Sequence, residues 1–204
     1  GRIGESAFKG CAALKAVALP DAVTELCESV FEGCAALGSV AFGKNVGRIG
    51  EAAFRGAGLV SLTVPDTVTE IGDEAFADCA ALKELFLTEK VNAGWDETIG
   101  CTGHSVFARC TALTEVSLPM RQVPDSLFAD CTALKTVLFE KGVEETWNAV
   151  FAGCTALENV VLSDTVRKIA DGTFMGCTAL REIDIPDSVT EIGFIDPYGV
   201  FQGC

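Results

Sequence analysis

Basic side chains are scarce in this chain. Fifteen Lys and Arg stand against 29 Asp and Glu in 204 residues, a formal net charge of −14 at pH 7. A nucleic-acid groove and an anionic membrane surface both recruit Lys and Arg, so the balance argues against either partner. Solubility is the simplest role for the acidity. His104 is the only histidine, which leaves little for acid–base chemistry near neutral pH. No apolar run approaches the roughly 18 residues of a transmembrane helix, and no basic-then-apolar leader opens the chain. There is no Asn-x-Ser/Thr acceptor and no acidic calcium-loop pattern. Trp and Tyr are rare too, at two and one, against 13 Phe and 10 Cys.

The Phe and Cys are placed with a ruler. Phe8, Phe31, Phe54, Phe76, Phe107, Phe128, Phe151, Phe174 and Phe201 are separated by 23, 23, 22, 31, 21, 23, 23 and 27 residues. Cys11, Cys34, Cys79, Cys110, Cys131, Cys154, Cys177 and Cys204 each follow a Phe by three. A period near 23 marks a solenoid, in which each unit buries its faces only against its neighbours. Eight Cys in one recurring environment predict a stacked column of small buried, reduced side chains. Ala57 fills the same position in the third unit, which fits packing and not bonding. Cys27 and Cys101 stand outside the register. They lie about three rungs apart, at roughly 4.8 Å per rung, too far for a disulfide unless the Cys101 segment folds back.

Within each unit a Leu and two alternating apolar residues follow the Cys, as in Leu82, Leu85 and Leu87. Alternation with period two predicts a strand. Turn dipeptides such as Pro65-Asp66 end it, and a second short apolar pair such as Val68 and Ile71 leads to the next Phe. The unit thus reads as strand, turn, short extended segment, and a short helical or 3-10 turn. The array departs from the ruler twice, with insertions within 92–105 and 194–199 that are expected to bulge from the coil. Solenoids need polar caps. Neither end reads as one, so residues 1–204 are expected to be one uninterrupted solenoid taken from a longer protein.

Segments such as Ile71-Gly72-Asp73-Glu74-Ala75-Phe76-Ala77-Asp78-Cys79 and the run from Cys177 through Leu180, Ile183, Ile185, Pro186-Asp187 and Val189 to Ile192-Gly193 resemble the BspA-like leucine-rich repeat. The likeness spans nearly the whole chain apart from the insertions. It implies a right-handed leucine-rich-repeat solenoid of about eight coils, mainly β, with a parallel sheet on one face. It also implies a secreted or cell-surface setting and a role in adhesion to host matrix proteins such as fibronectin and fibrinogen, to host cells or to other microbes. The family shares no catalytic residues and no cofactor. A structural spacer that projects another domain is the alternative role.

The residues most able to hold a protein partner are those that the packing ruler leaves free. Side chains alternate across a strand, so the neighbours of the inward pair point outward. Among them Phe86, Leu138 and Val161, together with Glu84 and Glu115, form the candidate recognition face. Trp95, in the first insertion, is a second candidate, since Trp is enriched at binding hot spots. It competes with a simpler role as a lid over the coil, an ambiguity shared by Trp147 and Tyr198. Cys101 and His104 have Cys-x-x-His spacing with Cys110 following. Zinc needs three or four converging ligands, and Cys110 belongs to the buried column, so neither a metal site nor a Cys–His nucleophile is expected. The carboxylates fall mainly in turns and at strand ends, and no pair is placed for acid–base work. Gly56-Ala57-Gly58 lacks the helix and acidic residue of a dinucleotide site.

Overall fold

A computed structural model describes residues 1–90, 103–193 and 199–204. In chain order the strands are β1 (Arg2–Ile3), β2 (Ala16–Ala18), β3 (Glu25–Leu26), β4 (Ser39–Ala41), β5 (Arg48–Ile49), β6 (Ser61–Thr63), β7 (Glu70–Ile71), β8 (Glu84–Phe86), β9 (Glu115–Leu118), β10 (Gln122–Val123), β11 (Thr136–Phe139), β12 (Glu145–Thr146), β13 (Asn159–Val161), β14 (Lys168–Ile169) and β15 (Glu191–Ile192). They fall into two series that run up a solenoid of about eight coils. All recorded pairings are parallel and join a strand to its counterpart one coil on, as in Val137↔Val160 and Leu26↔Ile49. The longer strands form the broad face, hydrogen-bonded as β2–β4, β6–β8 and β9–β11–β13. The two-residue strands line a second side, as β1–β3–β5–β7 and β10–β12–β14–β15.

The Phe segments make a third set of rungs. The N–H groups of Ser6, Phe8 and Gly10 donate to the carbonyls of Glu28, Val30 and Glu32 on the next coil at 3.0, 2.9 and 2.7 Å. The intervening amides bond within their own coil, as from Lys9 N to Ser6 O at 3.0 Å. No helical or 3-10 turn occurs here among the described residues, where the spacing suggested one. The reason is a left-handed residue two positions before most of the Phe: Ser6, Ser29, Ala52 and Glu74 have φ of 54°, 55°, 51° and 52°. A second left-handed residue, Gly10, Gly33 or Gly56 in the first coils, follows two positions after the Phe. Left-handed L-residues cannot propagate a right-handed helix, so the chain turns without coiling into one.

This arrangement points each Phe ring inward. Phe31, Phe54, Phe76, Phe107, Phe128, Phe151 and Phe174 are fully buried or nearly so. Their rings stack face to face at centroid separations of 5.1 to 5.8 Å. The Cys column runs alongside, as expected, and the thiols do more than fill space. Cys79 Sγ donates to Phe54 O at 3.3 Å, Cys131 Sγ to Phe107 O at 3.2 Å and Cys154 Sγ to Phe128 O at 3.2 Å. Each thiol thereby occupies a lone pair on the carbonyl of a Phe one coil earlier. Burial pushes Cys79, Cys131 and Cys177 up to about 12, and Cys110 and Cys154 upward as well. The described cysteines are all free thiols.

Thiolate is the reactive species, so the column should be inert in the folded protein. We expect Ellman's reagent at pH 8 to modify the accessible Cys11, Cys27 and Cys204 at once. Cys79, Cys110, Cys131 and Cys154 should react only when denaturant is added. Prompt reaction of those four in the native protein would show that the column is open to water.

One coil carries hydroxyls in the core. Thr146 stands where the other coils have Leu, Ile or Val, and Thr173 is fully buried beside it. Ala170 N–H donates to Thr146 Oγ1 at 3.1 Å, Thr173 Oγ1 donates to Ala170 O at 2.7 Å, and the two hydroxyls lie 3.0 Å apart. With the Thr146 hydroxyl as donor to Thr173, the three groups close a ring in which each buried donor has an acceptor. The Thr146 hydroxyl takes the amide that a strand carbonyl accepts in other coils. The β12–β14 ladder accordingly keeps only the Glu145↔Lys168 pair.

Candidate recognition face

The broad face is built by strict alternation. Val17, Val40, Leu62, Leu85, Val116, Val137 and Val160 turn toward the core side, and the residues on either side of each turn out. Pairing aligns these outward residues in two rows. One row runs Ser61↔Glu84 and Glu115↔Thr136↔Asn159; the other runs Thr63↔Phe86 and Ser117↔Leu138↔Val161. Phe86, Leu138 and Val161 are 58%, 42% and 52% exposed. The structure thus brings Phe86, Leu138 and Val161 into one row, with Glu84 and Glu115 in the row beside it. Trp95 and Tyr198 lie outside the described residues, as does Cys101. Trp147 is half-buried on the side of the coil.

Two features of this face bear on recognition. The first is an interruption of the sheet. β8 and β9 neighbour each other, yet the ladder stops after β8 and restarts at β9. A groove of about 320 Å³ opens there, lined by Glu84, Phe86, Glu115, Ser117, Thr136 and Leu138 among others. The second is the alternation of size along the row. Ser117 lies between Phe86 and Leu138, so a small residue separates two large apolar ones. The Ser117 hydroxyl is turned to one side by its hydrogen bond to the Glu140 carboxylate.

The electrostatics of the face are one-sided. Its outward rows hold Glu84, Glu115, Glu182 and Asp184 and no Lys or Arg. Elsewhere several charges are mutually paired. On the second side, Glu25 bridges Arg2 and Arg48 at 2.7 and 3.2 Å, and Arg48 reaches Glu70 at 3.1 Å. These flank a polar groove of about 630 Å³ that also contains Cys27 and Glu28. On the Phe side, Arg109 Nε donates to Asp78 Oδ1 at 2.6 Å and Arg55 Nε to Asp78 Oδ2 at 3.1 Å. The hydrogen bond from Arg109 holds the Asp78 carboxyl below its usual range. Such exposed pairs contribute little stability individually. Their importance here is that these arginines are already partnered.

His104 follows the first insertion. Its backbone N–H donates to Asp73 Oδ1 at 2.9 Å, and its Nδ1 lies 3.4 Å from Asp125 Oδ2. Cys110 Sγ points the other way, into the core, donating to Phe76 O at 3.4 Å. Among the described residues no group of three His, Cys, Asp or Glu is placed to hold a metal ion, and no helix is long and apolar enough to cross a membrane. On the last coil Ile185 and Ile192, which the repeat assigns to the interior, are 37% and 48% exposed. No ladder forms over residues 181–186, and residues 194–198 lie outside the described set.

A stacked array of 23-residue coils, with a parallel sheet on one face and buried Phe and Cys columns, defines a leucine-rich-repeat β-solenoid. The BspA type leucine rich repeat region, in six copies, matches residues 1–97 and 95–204, and the chain belongs to that family. Among solved structures it is similar to the leucine rich repeat protein of T. pallidum, at 24% identity and a TM-score of 0.59, over 89% of this chain and 72% of that one. It is also similar to a leucine rich cell surface protein from Faecalibacterium prausnitzii, at 26% identity and a TM-score of 0.55, over 100% of this chain and 67% of that one. No curated protein matches the chain. The chain is therefore a leucine-rich-repeat protein that resembles bacterial surface proteins of the same type.

Proposed function

We propose that this chain is a protein-binding leucine-rich-repeat module of a cell-surface or secreted adhesin, and that it is not an enzyme. Residues 1–204 act as one array, and Glu84, Phe86, Glu115, Leu138 and Val161 form its recognition face, with Trp95 as an accessory contact from the first insertion. The observation that carries this reading is the row of Phe86, Leu138 and Val161, exposed together on a face that the described residues leave uncovered. Large apolar side chains grouped on one surface mark protein-interaction sites, and exposed Phe and Leu contribute nothing to the core that selects the repeat. The extracellular or surface setting is drawn from the likeness to the F. prausnitzii cell surface protein.

The test uses immobilised fibronectin and fibrinogen, the matrix proteins that the family resemblance points to. Phe86→Ala with Leu138→Ala should lower affinity by at least about tenfold, an effect of 1.4 kcal/mol, while urea unfolding stays within about 0.5 kcal/mol of the parent. Binding that is unchanged in this variant would remove the face from the interaction. Absence of binding by the parent chain to either protein would favour a spacer that projects another domain.

A further inference from the structure

We propose that the groove between β8 and β9 receives an extended peptide segment that places one apolar side chain between Phe86 and Leu138 and a Lys or Arg against Glu84 and Glu115. The proposal rests on the protein-binding reading above and specifies the chemistry of the partner.

Size comes first. Phe86 and Leu138 stand on coils four and six, and the coil between them offers only Ser117 at the same position. The result is a slot about one side chain wide, with apolar walls and a polar floor that is engaged by Glu140. An aromatic or aliphatic side chain entering it gains contact on both sides. The slot opens into the groove of about 320 Å³ lined from β8, β9 and β11.

Charge comes second. Glu84 and Glu115 occupy equivalent positions on neighbouring coils and both line this groove. Like charges opposed on adjacent strands destabilise a sheet. Several carboxylates elsewhere on the surface form ion pairs, Glu25, Glu70, Glu74, Asp78 and Glu144 among them, whereas no Lys or Arg among the described residues pairs with Glu84 or Glu115. Lys83 also lines the groove and makes no such bridge. Residues 91–102 cannot supply a cation, because that stretch contains Asp96 and Glu97 and no Lys or Arg. A cationic partner adds a counter-charge that Glu84 and Glu115 do not receive from the described residues. A second copy is a poor source, since it carries the same net charge of −14. A basic-flanked apolar segment supplies both the counter-charge and the side chain that fits the slot.

The test is a titration of the isotopically labelled full chain with three end-blocked tripeptides, followed by NMR. Arg–Phe–Arg should shift the backbone amides of Phe86, Ser117 and Thr136 in a saturable way at millimolar concentration. Glu–Phe–Glu should not, and Arg–Ala–Arg should bind more weakly. Glu84→Gln with Glu115→Gln should weaken Arg–Phe–Arg by about fivefold and flatten its salt dependence. The inference is overturned if Arg–Phe–Arg and Glu–Phe–Glu bind alike, if the Gln variant binds Arg–Phe–Arg like the parent, or if the shifts spread equally to Glu182 and Asp184. No shift with any peptide overturns it as well, and so does self-association that Phe86→Ala abolishes. The fibronectin and fibrinogen measurement on Phe86→Ala with Leu138→Ala has a separate readout. Loss of binding there alongside a failed peptide titration would retain the face and reject the basic segment.

Discussion

Phe128→Ala should cost about 4–5 kcal/mol, the upper end of the range for removing a buried Phe. The ring is fully buried and stacks on both sides, against Phe107 at 5.5 Å and Phe151 at 5.8 Å, with interplanar angles of 12° and 4°. Three losses combine in the variant. Transfer of the ring from water is lost. A cavity opens that the neighbouring coils cannot close, because hydrogen-bonded rungs fix their spacing. Two ring contacts also disappear, each contributing about 0.5–1.5 kcal/mol beyond area burial. In a solenoid, stability is close to a sum of nearest-neighbour interfaces, and Phe128 belongs to two of them. Phe8 provides the internal comparison: it is 38% exposed and stacks on Phe31 alone, at 5.2 Å. Phe8→Ala should cost about half as much. Urea unfolding followed by circular dichroism measures both. A loss below about 1 kcal/mol for Phe128→Ala would show that the Phe column does not hold the coils together.

Gly58→Ala should also be strongly destabilising, at about 2–3 kcal/mol or more. The third coil reads Ala57-Gly58-Leu59 where the second reads Cys34-Ala35-Ala36-Leu37. Having one residue fewer, the chain takes a shorter path and runs close under the coil before it. A Cβ on Gly58 would lie 2.2 Å from Ala35 O and 3.1 Å from its carbonyl carbon. That neighbour is backbone, held in register by the rungs, so it cannot swing aside as a flexible side chain would. The effect arises from contact alone. Gly38 is the control, because a Cβ there meets nothing closer than Lys15 O at 4.0 Å, and Gly38→Ala should stay within about 0.5 kcal/mol of the parent. Equal stability of the two variants would show that the third coil can relax away from the second.

These two positions also show why some of the molecule is legible in the residue order and some is not. Phe128 is legible because the spacing that places it recurs down the chain, and a recurring residue at one register needs a recurring environment. The Cys column is legible for the same reason, and so is the outward placement of Glu84 and Phe86, which follows from alternation alone. The turns around the Phe are not. Left-handed φ usually announces itself as glycine, and here Ser6, Ala52 and Glu74 adopt it because rungs to the next coil compensate the strain. The groove at β8 and β9 is hidden for another reason. Whether two adjacent strands keep their ladder is set between coils, as the breaks between β4 and β6 and between β8 and β9 show, and no local pattern encodes that. The carbonyl-directed thiols and the Thr146–Thr173 ring involve atoms one coil apart, which a repeat aligns but does not orient.

The most direct test is hydrogen–deuterium exchange of the full chain with and without bound fibronectin. Protection should appear at Glu84–Phe86, Glu115–Leu118, Thr136–Phe139 and Asn159–Val161, strongest at the first three, and should vanish in Phe86→Ala with Leu138→Ala. Protection confined to the two-residue strands of the second side, or to residues 92–105, would contradict a recognition face on the broad sheet.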